Sequence, residues 1–391
     1  MPIVNRYAEL LPRIVEWRQD FHAHPELMFA VHRTAARVAE LLREFGCDEV
    51  VEGIGRTGVV GIIRGRQTGS GRTIGLRADM DALPIHEATG APYASTVSGR
   101  MHACGHDGHT AMLLGAAKYL SETRNFDGKA AVIFQPAEEG GHGAREMCRD
   151  GLMDRFAIDE VYAMHNEPGL PVGHFAIRPG PLLAASDEFE IIVTGKGGHA
   201  ADPHLAVDTT LVAAQILVSL QSVVSRSVNP LKRVVVTVGT FVSDSAASNV
   251  IAHRVTMKGT VRTLDAECRA LAETRIRAIA SGTAAAFGAR AEVNWDEGYP
   301  VTANAAANTV HAAHVARSIS PHVNDDVDPI MPAEDFSYML AERPGAYIML
   351  GNGDSAPCHH PAFDFADEAI PYGSSWYSGM VEARLPIRGG E

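Results

Sequence analysis

Apolar residues recur at helical spacing from the start of the chain. Over 6–21, Leu10, Leu11, Ile14, Val15 and Phe21 line one face, and over 34–45 the spacing returns with Ala35, Val38, Leu41, Leu42 and Phe45, stopped by Gly46. Both segments read as helices packed by one face. The period then shortens: 59–63, 73–77, 131–134 and 161–165 are short β-type runs, with a helix predicted over 109–122. Strands alternating with helices predict an α/β sheet. In such sheets ligands bind at the carboxyl ends of the strands, and polar residues follow those ends here: Asp79, Glu138 and His165.

Between 185 and 299 the order changes. Strand 188–194, helix 207–225, strand 233–241, strand 250–263, helix 266–287 and strand 291–295 make a βαββαβ series, the order of a ferredoxin-like domain. A helix over 304–318 and a strand over 346–350 then return to the first pattern. The reading is an α/β domain built from 1–184 and 300–391, interrupted by a ferredoxin-like insert over 185–299.

Composition narrows the function classes. At 391 residues, 46% hydrophobic and 21% charged, the chain suits a globular protein with a real core and excludes disordered, collagen-like and coiled-coil classes. Lys and Arg number 34 against 47 Asp and Glu, a net charge of −13, which argues against nucleic acid or an anionic membrane as partner. No apolar run approaches a membrane span, and the charged N-terminal segment lacks a signal-peptide core, so a cytoplasmic location is expected. Five scattered cysteines are no disulfide framework and leave thiols or metal ligands. The 18 histidines, several beside Gly, Pro, Asp or Cys, raise the question of a metal.

In MHACGHDGHT, Cys104 and His106 flank a glycine and can converge on one ion; a thiolate with an imidazole suits zinc or a similar divalent metal. A buried Cys beside a structural His fits the same residues. His102 and His109 read as supports or helix caps. FQPAEEGGHG sets Glu138 and Glu139 together after a strand, where one carboxylate can bind metal and the other act as a general base. A solvated acidic turn is the plainer alternative. In LRADMDALP, Asp79 and Asp81 share a strand face, where one can orient a ligating His or a base, or simply cap a turn. His165 ends an apolar strand, and His359 and His360 precede a proline, so one of those two would face a site lying there.

Taken together, GLRADMDALPIHE, MHACGHDGHTAMLLGAA, FQPAEEGGHGAREM, YAMHN, GKGGHAADPH, PAEDFSYM and CHHPAFDF resemble the successive motifs of the hippurate hydrolase and auxin-conjugate amidohydrolase branch of the aminoacylase/carboxypeptidase G-type metallopeptidases. They run in that order from Gly75 to Phe365. The resemblance implies a catalytic domain holding two divalent metal ions (Zn, Mn, Co or Ni), with a ferredoxin-like lid and dimerisation domain. It implies metal ligands at Cys104, His106, Glu139, His165 and His359, a base at Glu138 supported by Asp81, a His199 that serves the neighbouring subunit of a homodimer, and Asn249 and Arg262 near the substrate carboxylate. The chain departs from the wider family twice. Asp79 stands where a ligating His is usual, and SDSAASNVIAHRV replaces a Gly-Gly before Asn249.

The implied reaction is hydrolysis of the amide of an N-acyl amino acid to a carboxylic acid and a free amino acid. A dipeptidase or carboxypeptidase of the same family is the catalytic alternative, and a metal-binding relative without turnover is the non-catalytic one.

Overall fold

The computed structural model describes residues 5–387, which fold as two compact units. The first opens with helices α1 (Asn5–Ala23) and α2 (His32–Glu44), then strands β1 (Glu49–Ile54), β2 (Gly58–Arg64) and β3 (Thr73–Asp79), helix α3 (His106–Thr123), and strands β4 (Lys129–Gln135) and β5 (Glu160–Glu167). The insert supplies β6 (Ala185–Thr194), α4 (Thr209–Ser222), β7 (Val234–Ser243), β8 (Arg254–Thr263), α5 (Ala266–Ala286) and β9 (Arg290–Asp296). The chain returns through α6 (Ala306–Ile319), β10 (Gly345–Gly351) and α7 (Ile370–Arg384).

In the first unit an eight-stranded sheet has β4, β3, β5 and β10 as parallel neighbours at its centre. All seven residues of β3 and of β10 are buried, as expected for parallel strands covered on both faces. Leu76, Val132, Tyr162 and Ile348 join the core with α1, α3 and α7. The antiparallel edge strand β1 has no counterpart in the sequence reading, because only Ile54 of its residues is buried and they carry no period-two apolar pattern.

The second unit comprises Leu183–Thr302 and Pro329–Glu334. Its sheet order is β7-β8-β6-β9 with every pair antiparallel, the arrangement of a ferredoxin-like βαββαβ fold. Phe189, Ile191, Val193, Val255 and Met257 pack under Ile216 of α4 and Ile276 of α5. The unit extends past the 185–299 reading because Leu183 bridges to Ile330 and the Ala184 amide donates to the Pro332 carbonyl at 3.0 Å. The strand read over 250–263 is two strands. Val250–Ile251 pairs with Gly198–His199, and β8 begins again at Arg254 against Thr194.

The central sheet closes on a buried guanidinium. Arg77 is fully buried; its Nε donates to Gln135 Oε1 at 2.7 Å, its Nη1 to Asp79 Oδ2 at 2.7 Å and its Nη2 to Asp335 Oδ1 at 3.1 Å. Asp335 in turn accepts the Ala144 amide at 2.9 Å, so one cation joins β3, β4 and the helix Gly143–Arg149. Arg77→Met leaves two buried carboxylates without their partner, and unfolding free energy of the first unit should fall by about 3–5 kcal/mol in urea titrations. A loss under about 1 kcal/mol, the range of exposed pairs, would show these charges to be solvated.

Candidate metal centre

Past Asp79 the chain stays inside the protein, and Asp79 and Asp81 are at most 1% exposed. Asp81 accepts the amide hydrogens of Glu138 at 2.9 Å and Glu139 at 3.1 Å, so the residues after β3 set the turn after β4. Burial pushes the Asp81 carboxyl up, and His106 together with the Glu138 amide draws it part of the way back.

Gly105 makes the next turn. Its φ is +91°, and a Cβ there would stand 1.9 Å from Asn166 Oδ1, so only glycine fits between Cys104 and His106. His106 begins α3, three residues before the sequence reading placed the helix start. His109 therefore sits one turn along from it, and the two rings stack with centroids 5.5 Å apart.

His106 is fully buried among carboxylates, with Nδ1 3.6 Å from Asp81 Oδ1 and Nε2 3.8 Å from Asp79 Oδ2 and 4.0 Å from Glu139 Oε1. None of these is a hydrogen bond, and both ring nitrogens and Glu139 Oε1 are buried polar atoms without one. Burial works against an imidazolium, yet Asp79, Asp81 and Glu139 raise the His106 pKa to about 10. The surroundings of this ring are built for positive charge. Glu139 feels the converse: burial raises its carboxyl, while His359 and His106 bring it below its usual value.

His165, at the end of β5, has Nδ1 2.6 Å from the Asn166 carbonyl and Nε2 3.4 Å from Cys104 Sγ. The first contact holds the proton on Nδ1 and leaves the Nε2 lone pair facing the thiol, the orientation metal-binding histidines take. Contact with Cys358, burial and the Glu139 charge push the Cys104 thiol well above its usual value, so its thiolate needs a cation beside it. Of the two histidines before Pro361, His359 faces the cluster, with Nε2 3.2 Å from Glu139 Oε1 and its amide bound to the Ala103 carbonyl at 2.7 Å. His360 instead accepts the Ala362 amide.

The donor atoms of Cys104, His106 and His165 lie within 4.8 Å of one another, as do those of Cys104, Glu139 and His359, and those of His106, Glu138 and Glu139. Two of these triads share the Cys104 thiol, and nitrogen, oxygen and sulfur donors gathered in this way are what a pair of borderline-soft divalent cations would fit.

Several supporting residues are ones that sequence reading missed or left open. His109 has both ring nitrogens occupied, Nδ1 against Asp79 Oδ1 at 2.7 Å and Nε2 receiving the Asn166 amide at 3.0 Å. Burial carries its pKa down to about 4 despite Asp79, so it is a neutral brace. Asp79, pulled below the usual range by His106, Arg77 and His109 against the effect of burial, braces in turn. Asp107 accepts from Arg18 Nη1 at 3.1 Å and pairs with His22 Nδ1 at 2.9 Å, tying α1 to the start of α3. Only the adjacency of Asp107 to His106 could have signalled that cluster.

In the second unit, His199 and Asn249 line a groove of 760 Å³ together with Asp244, Ser245 and His253. Arg262 is not part of that lining. It stands toward the other end of β8, half-buried, with Nη1 3.2 Å from the Val261 carbonyl.

The model of peptidase family M20/M25/M40 matches residues 75–383. A hippurate hydrolase from Campylobacter jejuni is 40% identical over 97% of this chain and 99% of its own length, and an N-acetylcysteine deacetylase from Bacillus subtilis is 38% identical over 94% and 96%. A Bacillus subtilis structure described as a dinuclear metal binding peptidase from the M20 family superposes with a TM-score of 0.85 at 34% identity, covering 97% of this chain and 99% of that one. With the match running from β3 into α7 and relatives this similar over nearly their whole length, the chain belongs to peptidase family M20/M25/M40.

Proposed function

We propose that the protein is a metal-dependent amidohydrolase that cleaves the amide bond of N-acyl amino acids, giving a carboxylic acid and a free amino acid. The observation that carries this reading is the pair of triads sharing Cys104, with Glu138 beside Glu139. Cys104, His106 and His165 would hold one divalent cation, and Cys104, Glu139 and His359 a second. Such ions supply Lewis acidity to a water and to the amide carbonyl oxygen.

Glu138 is the base: its carboxylate takes the proton of the attacking water and returns it to the leaving nitrogen. Asp81 serves it by fixing the Glu138 and Glu139 amides, so the two side chains keep separate tasks. His199, acting on the partner subunit of a homodimer, stabilises the oxyanion. Asn249, from the same groove as His199, receives the substrate carboxylate, and Arg262, outside that groove, is assigned to it by its resemblance to the family's motif alone. The hippurate hydrolase and N-acetylcysteine deacetylase relatives support an N-acyl amino acid as substrate. Hydrolysis of hippurate and N-acetyl amino acids in preference to dipeptides tests that choice. Five free thiols suit a reducing compartment, the cytoplasm.

Removal of metal by a strong chelator should abolish activity, and Zn, Mn, Co or Ni should restore it, with up to about two ions bound per chain by elemental analysis. Full activity in metal-free protein would refute the metal assignment. In Glu138→Gln the ligand set is untouched, so metal content should hold while kcat drops by on the order of 10²–10⁴. Loss of metal in that variant would exchange the roles of Glu138 and Glu139.

Subunit mixing tests His199. His199→Ala and Glu138→Gln chains, each nearly inactive, should regain about a quarter of wild-type activity after exchange, since half the dimers are mixed and each has one complete site. No recovery despite demonstrated exchange would mean that His199 does not act across subunits.

A further inference from the structure

Met28 is held in a conformation that its side chain disfavours. Its φ is +53°, the left-handed region where a Cβ is crowded and where Gly or Asn is the ordinary occupant. Both neighbours are anchored. Leu27 bridges to Ala82, whose amide donates to the Glu26 carbonyl at 2.8 Å, and the Phe29 carbonyl accepts from Thr57 Oγ1 at 3.0 Å while the Arg56 guanidinium lies 4.1 Å from the Phe29 ring. Ala82 directly follows Asp81, so this turn is pinned to the base of the candidate centre.

The strain is not offset by burial. Met28 is 37% exposed, and among the described residues of the first unit it and Val310 are the large apolar side chains left that open. Its tip lies over the turn that carries Glu138 and Glu139: a Cβ added to Gly141 would stand 2.6 Å from the Ala137 Cβ and 3.2 Å from the Met28 Cε. Ala137, the residue before Glu138, also has a positive φ, of +55°. A strained residue that presents apolar surface beside reacting groups is poised for a ligand rather than for the core.

We infer that Met28 is a specificity-determining residue, its exposed side chain beside the Gly141 backbone forming an apolar wall that receives the acyl group of the substrate. This rests on the amidohydrolase reading above. The charged amino-acid end of the substrate needs donors, and the Met28 thioether offers none, so the uncharged acyl end gains from contact with it. A thioether is polarizable, adapts to different shapes and contacts aromatic rings favourably, which selects aromatic acyl groups such as benzoyl over acetyl.

The test compares kcat/KM for N-benzoylglycine and N-acetylglycine in the metal-loaded wild type, Met28→Asn and Met28→Leu. Asn accepts positive φ but removes the apolar wall, so its Tm should be no lower than wild type while the benzoyl-to-acetyl ratio falls about tenfold, as loss of apolar pocket surface does. Met28→Leu, still apolar, should keep the ratio within about threefold. An unchanged ratio in a folded Met28→Asn enzyme, or an equal change when only the amino-acid side chain of the substrate is varied, would overturn the assignment of Met28. Hydrolysis of neither compound by the wild type would instead overturn the amidohydrolase reading.

Discussion

Negative charge buried at the carboxyl end of one strand governs this structure. Asp79 and Asp81 emerge from β3 into the interior, and Glu138, Glu139 and Asp335 are gathered around the same place. Buried carboxylates must be paired or hydrogen-bonded, or they take up protons instead. The fold meets this demand in three ways: Arg77 bridges Asp79 and Asp335, backbone amides bind Asp81 and Asp335, and His109 donates to Asp79. The remaining carboxylates gather around His106 and Glu139, an arrangement that suits a divalent cation.

That constraint explains the division between rigid and strained backbone. The supporting residues sit on fully buried parallel strands and on α3, which packs against α1 and α7. His106 starts α3 and His165 lies near the end of β5, but Cys104, Glu138, Glu139 and His359 are carried by turns, and around them positive φ recurs at Met28, Ala137, His142 and His359 without a glycine to relieve it. Such conformations persist only where surrounding contacts impose them, and they aim side chains that regular strands and helices would turn elsewhere. The amide of His359 on the Ala103 carbonyl and the bridge between Leu27 and Ala82 are contacts of that kind.

Local features were open to reading from the sequence because their physical causes are local. Helical spacing announced α1 and α2, the βαββαβ order of the insert followed from alternating periods, and Gly105 and the Glu138–Glu139 pair marked turns with chemistry in them. Tertiary structure decided what depends on residues distant in sequence. Asn166 reaches His109, His22 from α1 reaches Asp107, and Asp335 reaches Arg77, each across 57 or more positions, and no local pattern says which partner each one meets. It also turned the His359 ring toward Glu139, broke the strand read over 250–263, and set Met28 over Gly141. Periodicity and turn residues encode how a segment folds on itself, whereas which buried charge meets which partner is an electrostatic problem solved only when all the strands are in place.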